Sequence, residues 1–363
     1  MKILTVAGTR PQLVKVAPVS RELRKHAKEI LVNTGQHYDY NMAGIFFEEL
    51  NIPKPDYDLG IGSASHGKQT GEMLKMIEEV ILKENPNAVL VYGDTNSTLA
   101  GALAASKLHI PLIHIEAGLR SFNKNMPEEI NRILTDHVSS LLFPPTETAA
   151  ENLKQENITE NVVKIGDVMY DAVLYNTAIA EEKYHLEEFG VREKEYILAT
   201  IHRAENTDSK DKLTAIFQAF AKLDEKVLLP LHPRTKHKLQ EYGMGNLLDG
   251  AANIRVIEPV SYLEMLLLEK KAKAIVTDSG GVQKEAYFAK VPCLTLRPET
   301  EWVETVDVGC NRLVDPLEED LAAIIQEFQP ADYSKQLYGD GKASEKISRE
   351  IIKFFEKEAA CVL

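Results

Sequence analysis

Four apolar runs in this chain end abruptly in glycine and charge. Met1–Ala7 (MKILTVA) leads into Gly8-Thr9-Arg10-Pro11-Gln12-Leu13-Val14-Lys15, and Ala88–Tyr92 (AVLVY) into Gly93-Asp94-Thr95-Asn96-Ser97-Thr98. Pro111–Ile115 (PLIHI) leads into Glu116-Ala117-Gly118-Leu119-Arg120, and Ala274–Thr277 (AIVT) into Asp278-Ser279-Gly280-Gly281-Val282-Gln283-Lys284-Glu285. Runs this short, rich in β-branched residues and followed by a helical period, read as buried strands. The same pattern predicts strands at 2–7, 29–34, 88–92, 111–115 and 140–143. It predicts helices near 11–25, 40–50, 66–84, 96–107, 127–138 and 147–155. Strands alternating with helices imply a parallel, doubly wound α/β sheet. Ligands of such sheets bind at the carboxyl ends of the strands, so the polar clusters outline one crevice.

The pattern then restarts. Strands are predicted at 196–200, 227–230, 254–257, 274–277 and 292–296, with helices at 209–223, 261–269 and 281–289. At 363 residues the chain suits two domains. Because both halves contribute polar clusters, the crevice is expected between them. The charged stretch 181–194 has no strong period, and the boundary is expected near 168–190. The last helix, Ser344–Lys357, carries Ile347, Ile351, Ile352, Phe354 and Phe355 and is expected to pack back on the first domain. The expected division is therefore 1–170 plus about 344–363 for one domain and 171–343 for the other.

A hydrophobic share of 44% and a charged share of 27% are those of a soluble globular protein. The net charge of −13 argues against a nucleic-acid surface. An anionic ligand would have to be met by local positive potential, against the global field. Cys293, Cys310 and Cys361 show neither metal spacing nor a disulfide framework. No apolar run approaches the roughly 20 residues needed to cross a bilayer, and no signal peptide is expected before the first strand. A cytoplasmic protein without membrane or nucleic-acid partners is expected.

The basic groups come first in the chemistry. Arg10 follows the first strand and Lys15 lies about a turn into the next helix, whose free N–H groups and positive dipole end favour an anion. The dinucleotide fingerprint G-x-G-x-x-G is absent, which lowers the expectation of NAD or FAD. Ser279-Gly280-Gly281 lets a phosphate approach backbone N–H groups, and Glu285, a turn further on, suits ribose hydroxyls. Asp94, Glu116 and Glu128 follow strand ends or open a helix. Neighbouring carboxylates split their pKa values, so one can act as base and another as acid. His202 and His232 follow the first two strands of the second half and would face the crevice. No zinc-type histidine pairing appears.

At these residues the chain closely resembles the non-hydrolysing UDP-N-acetylglucosamine 2-epimerases. The shared motifs are GTRPQLVK (8–15), GQH (35–37), GDTNST (93–98), HIEAGLR (114–120), PEEINR (127–132), PTET (145–148), IHRAEN (201–206), LHP (231–233) and DSGGVQKEA (278–286). The resemblance implies two Rossmann-like domains of the glycosyltransferase-B type, a homodimer, and no metal or nicotinamide cofactor. It implies inversion at C2 of a UDP-N-acetylhexosamine, by loss of UDP to a 2-acetamidoglucal and its re-addition. It makes Asp94, Glu116 and Glu128 the acid/base carboxylates, with His202 beside them. It gives UDP to Arg10, Lys15, His202, Ser279, Gly280, Gly281 and Glu285. It puts Arg132, Glu205, Asn206, His232 and Arg297 among the substrate contacts.

Three departures qualify that picture. Gln12 stands where the family usually has Glu, and Asp39 and Lys68 replace a Gln and an Arg that help hold a second, activating UDP-N-acetylglucosamine in bacterial members. Allosteric activation is therefore not expected. The segment Arg120–Pro127 is also shorter than usual. With GQHYDYNM (35–42) and Glu299–Thr305, it is more like the branch that epimerises UDP-2,3-diacetamido-2,3-dideoxy-glucuronate. In that branch Lys124 or Arg297 would meet the extra carboxylate. The uronate epimerase is thus the alternative reading. A glycosyltransferase of the same fold, a hydrolysing epimerase and a non-enzymatic nucleotide-sugar binder rank below it.

Overall fold

The computed structural model describes residues 1–35, 47, 49–245, 251–330 and 332–361. The helix expected at 40–50, Asp39 and most of the 35–42 motif lie outside them. The chain divides into two compact units, 1–172 with 337–363, and 173–336.

The first unit contains a six-stranded parallel sheet. Its strands are β1 (Lys2–Ala7), β2 (Lys28–Asn33), β3 (Tyr57–Asp58), β4 (Ala88–Tyr92), β5 (Leu112–Ile115) and β6 (Leu141–Phe143), in the order β3-β2-β1-β4-β5-β6. The register is set by pairs such as Val6 with Val91 and Ile115 with Phe143. The central strand β4 is buried along its whole length, as helices on both faces require. The flanking helices are α1 (Arg10–Leu23), α2 (His66–Glu84), α3 (Asn96–Lys107), α4 (Pro127–Val138) and α5 (Glu147–Gln155). Alanines line α3 because it sits close to the sheet: a Cβ on its Gly101 would lie 3.0 Å from Val91. Helix α6 (Val168–Lys183) carries the chain across the boundary. No helix was predicted there, and it occupies most of the stretch 168–190 in which the boundary was expected.

The second unit repeats the plan with β7 (Tyr196–Thr200), β8 (Lys226–Pro230), β9 (Ile254–Ile257), β10 (Ala274–Thr277), β11 (Cys293–Thr295) and β12 (Asn311–Leu313). All pairings are parallel, in the order β12-β11-β10-β7-β8-β9. Counted from β7, that is the strand order of the first sheet read from the opposite edge. Short α7 (Ala204–Thr207), α8 (Lys210–Ala221), α9 (Pro233–Glu241), α10 (Tyr262–Lys271), α11 (Gly280–Phe288), α12 (Val303–Asp307) and α13 (Leu321–Glu327) surround it. Ser261 caps α10 in a capping box with Glu264. The final helix α14 (Ala343–Cys361) belongs to the first unit, where it packs on α1 with Ile347 and Ile351 fully buried. Asp171 fixes its start by accepting the N–H groups of Ala343 and Ser344. Among the described residues no helix is long and apolar enough to cross a membrane.

Buried carboxylates hold the loops at the carboxyl ends of both sheets. In the first unit Asp136 Oδ1 lies 2.7 Å from His114 Nδ1, while Oδ2 accepts from the Gly118 N–H at 3.0 Å and from Arg120 at 2.8 Å. The other ring nitrogen of His114 is 2.8 Å from the Gly93 carbonyl oxygen. Both ring nitrogens of His114 are thereby engaged. Gly118 needs its left-handed conformation (φ +79°), and a Cβ there would stand 2.2 Å from the Ala149 carbonyl. This one cluster therefore ties the turn after β4 to the turn after β5.

Burial pushes the Asp136 carboxyl up, but His114 and then Arg120 outweigh it and hold the group below its ordinary value. A lowered folded pKa contributes stability that is present above the unfolded value of about 3.9 and is lost as pH falls through the folded value. Asp136→Asn leaves Arg120 its ion pair with Glu156 but removes the carboxylate charge that His114, Gly118 and Arg120 share, and is expected to cost the first unit about 1.5–3 kcal/mol near neutral pH. The difference from wild type should shrink in acid. Because the single tryptophan, Trp302, lies in the second unit, the measurement is amide hydrogen exchange in β4 and β5. Equal protection of mutant and wild type near neutral pH would contradict the assigned role.

Candidate active site

The carboxyl end of the first sheet concentrates charge. Glu116 sits directly after β5 with φ +72°, a left-handed conformation rare for a residue with a Cβ. Such strain persists where surrounding contacts impose it, often at functional sites. Glu116 is buried and pairs with Lys15 from the second turn of α1. A Cβ on Gly93, itself at φ +62°, would lie 3.1 Å from Glu116 Oε2 and 3.4 Å from Lys15 Nζ. The β4 turn is thus pressed against the pair.

Asp94 follows Gly93 in that turn and is partly exposed. Arg132 from α4 approaches it, with Nε 2.9 Å and Nη2 2.6 Å from Asp94 Oδ2. Asn131 donates to the Asp94 carbonyl at 2.9 Å. Arg132 also donates from Nη1 to Glu129 at 2.9 Å. Glu129 is buried and accepts the N–H groups of Ser121 and Phe122, both at 2.9 Å, which fixes the loop before α4. Its neighbour Glu128 projects into solvent from the first turn of α4. The two adjacent glutamates thus divide into one that builds the loop and one left available for chemistry.

Gln12 does structural work that the sequence pattern left unassigned. Its Oε1 accepts from the N–H of Gly8 at 2.9 Å and of Thr9 at 3.2 Å. Its Nε2 donates to the Tyr92 carbonyl at 2.9 Å and to Thr98 at 3.0 Å. A neutral amide can donate and accept in this way, so Gln12 locks the β1 and β4 turns together. A carboxylate could not donate to the Tyr92 carbonyl. Arg10, two residues earlier, is exposed.

The second unit builds its own cluster around Asp278, fully buried after β10. Its carboxylate accepts the N–H groups of His202 and Arg203, each at 3.0 Å, and the Asn206 side chain at 3.1 Å. Asn206 also donates to the Leu296 carbonyl at 3.0 Å. The loop after β7 is thereby drawn onto the start of α11. His202 stands beside His232, with ring centroids 5.3 Å apart. Desolvation and then the neighbouring His202 lower the pKa of His232. Glu205 is exposed on α7.

Helix α11 begins at Gly280, with Ser279 as its cap residue. A Cβ on Gly280 would lie 3.8 Å from Arg297 and 3.9 Å from both Arg203 and Glu301. The helix start therefore carries two guanidinium groups as well as its free N–H groups, an arrangement suited to phosphate. Arg297 is buried and spans Glu301 in a bidentate pair, both contacts at 3.1 Å. The sequence reading put Arg297 among the substrate contacts and passed over Arg203, which adjoins His202 in the same motif. Glu285 lies in the second turn of α11 and is buried. Among the described residues no group of three or more His, Cys, Asp or Glu is disposed to hold a metal ion.

Comparison with known proteins agrees with this geometry. Residues 21–352 match the family model described as UDP-N-acetylglucosamine 2-epimerase. The UDP-N-acetylglucosamine 2-epimerase of Methanocaldococcus jannaschii is 49% identical, over 96% of this chain and 98% of that protein. The UDP-2,3-diacetamido-2,3-dideoxy-D-glucuronate 2-epimerase of Pseudomonas aeruginosa is 50% identical, over 97% of this chain and 100% of that protein. The crystal structure of the M. jannaschii enzyme with UDP-GlcNAc and UDP superposes with a TM-score of 0.88 at 48% identity, covering 97% of this chain and 100% of that one. Two parallel sheets of identical strand order, the charged turns after β4, β5 and β10, and near full-length identity to several members lead to one assignment: the chain belongs to the UDP-N-acetylglucosamine 2-epimerase family.

Proposed function

We propose that this chain inverts C2 of UDP-N-acetylglucosamine to give UDP-N-acetylmannosamine. It does so in the cytoplasm, as a homodimer, for the supply of cell-surface polysaccharide precursors. The observation that carries the reading is the set of carboxylates at one sheet edge: Asp94 and Glu116 each held against a cation, and Glu128 opening α4 beside them. The buried free thiols of Cys293 and Cys310 fit a reducing compartment. The exposed Ile130 and Leu134, one turn apart on α4, offer an apolar face for a second copy.

The chemistry follows from those groups. A proton on C2 of the sugar is weakly acidic, so a placed carboxylate base lowers the barrier to its removal. Loss of that proton and departure of UDP from C1 leave a 2-acetamidoglucal. UDP then re-adds at C1 as a proton arrives at C2 from the other face. Arg10, Lys15 and His202, with the Ser279–Gly281 turn, stabilise the charge that develops on the diphosphate. Lys15 has two roles in this reading. It neutralises Glu116 before the ligand arrives, and once its charge is shared with a phosphate, Glu116 becomes a stronger base. Glu285 takes the ribose hydroxyls, and Arg132 orients Asp94.

The uronate branch is the second reading, favoured by the 50% identity to the Pseudomonas enzyme. A uronate carboxylate needs a cation. Of the two cations named for it, Arg297 is already spanned by Glu301 and Lys124 stands exposed to solvent, which favours the neutral sugar. Giving the enzyme UDP-N-acetylglucosamine and the diacetamido uronate side by side, with no activator added, decides between them. We expect faster turnover of the neutral sugar, with no requirement for a second ligand. Preference for the uronate would reverse the assignment.

The mechanism is tested by running the reaction in heavy water and recording the product by NMR. Deuterium is expected at C2 in the epimerised sugar, because no cofactor motif is present to carry a hydride. Product that keeps its original hydrogen at C2 would sink the elimination route.

A further inference from the structure

Gln283, at the end of the first turn of α11, is fully buried. An amide taken out of water must find partners for both its oxygen and its nitrogen. Its Oε1 accepts from the Thr300 hydroxyl at 2.7 Å and from the Asn311 side-chain amide at 3.1 Å. Its Nε2 donates to the Ser279 carbonyl at 3.3 Å. Ser279 caps α11, Thr300 stands between Arg297 and Glu301, and Asn311 opens β12. One side chain thus ties the start of the helix to the segment that carries Arg297.

The direction of these bonds is fixed from the ends of the network. The Thr305 hydroxyl donates to the Trp302 carbonyl at 2.8 Å, so it accepts from Asn311 Nδ2, 3.2 Å away. The Asn311 oxygen accepts from the Thr295 hydroxyl at 2.8 Å. The second hydrogen on Asn311 Nδ2 therefore points at Gln283, which must answer with its oxygen. That leaves the Gln283 nitrogen facing the Ser279 carbonyl, which can only accept. The Thr300 hydroxyl, having donated to Gln283, accepts the Trp302 N–H at 3.1 Å. Thr295, Thr305 and Asn311 are buried, so bulk water does not replace a bond lost among them. Residues 296–302 form neither helix nor strand, and the Thr300–Gln283 bond anchors this loop to α11.

We propose that Gln283 is a positioning residue for the anion site at the start of α11. It holds the Ser279 turn and the Arg297 loop in one arrangement, so that the backbone N–H groups and the guanidinium are aligned on the diphosphate before it binds. This rests on the reading of the Ser279–Gly281 turn as the diphosphate site. Being fully buried, Gln283 acts through these neighbours and not by contact with the ligand. Pre-organisation of a phosphate cradle strengthens the binding of the phosphates and leaves the nucleoside's share unchanged.

The test is calorimetric titration of the whole enzyme with UDP and, separately, with uridine. The proteins are wild type, Gln283→Met, Thr300→Val, Thr300→Ser and the double variant Gln283→Met with Thr300→Val. Methionine keeps the volume of Gln283 and removes its polar atoms. Valine removes the Thr300 hydroxyl from a half-buried loop position, and it carries the same test should Gln283→Met not fold. Both single variants should weaken UDP about tenfold and leave uridine within about twofold of wild type. Thr300→Ser keeps the hydroxyl and should bind UDP as wild type does. The double variant should bind UDP within about twofold of the weaker single, because both changes remove the same bond. UDP and uridine weakened alike, Thr300→Ser as damaging as Thr300→Val, or UDP binding unchanged in both single variants would overturn the positioning role and leave the diphosphate reading standing. Wild type that binds uridine as tightly as UDP would overturn the diphosphate reading and this inference with it.

Discussion

A carboxylate taken out of water must collect donors or give up its charge, and the architecture at both sheet edges is built on that constraint. In a parallel sheet every strand ends at the same edge, and the chain must leave it through a turn whose N–H groups have lost their ladder partners. Asp278 takes two such donors from the β7 loop and the Asn206 side chain from α7. Glu129 takes two from the loop before α4, and Asp136 takes the Gly118 N–H with His114 and Arg120. Each acid converts a loose turn into a fixed one. The turns that carry Asp94, Glu116 and His202 are those so fixed.

Fixing the turns also fixes the side chains that they carry. Glu116 holds a left-handed backbone between β5 and Gly118, and both flanks are pinned, Gly118 by Asp136 and the β4 turn by His114. Asp94 is aimed by Arg132, which Glu129 steadies from behind. A weakened support would lower the precision of the carboxylates before it lowered the stability of the sheet. Pre-organisation of this kind is a major source of rate in enzymes.

The sheets, their parallel sense and the charged strand ends were legible in the sequence, because buried β-branched runs and glycine turns are local signals. So were Asp94, Glu116, His202 and the Ser279–Gly281 turn, each directly on a strand end. The two-residue β3 and the helices α6, α9 and α13 were not predicted. Their short or weakly amphipathic patterns take meaning only from what they pack against. Glu128 and Glu129 look alike in sequence, and only the fold distinguishes the exposed acid from the buried clamp. Gln12 is a substitution within a motif, and its four partners come from β1, β4 and α3, invisible without the tertiary contact. Arg132 and Arg297 were read as substrate contacts, and the structure gives each a carboxylate partner within its own unit.

The net charge of −13 poses the remaining question of how such a chain could favour a diphosphate. Free lysines would answer it poorly, because their charges are screened by salt and offset by surrounding acids. The start of α11 offers backbone donors and guanidinium groups instead. Its first N–H groups are presented without side chains at Gly280 and Gly281, and the guanidinium groups of Arg203 and Arg297 converge on the same point. Arg297 is buried and already anchored by Glu301, so little side-chain freedom remains to be lost when an anion arrives. Arg203 is anchored through its own N–H by Asp278. Positive potential is thereby concentrated where backbone donors already point, and it depends on local geometry more than on the sign of the whole surface.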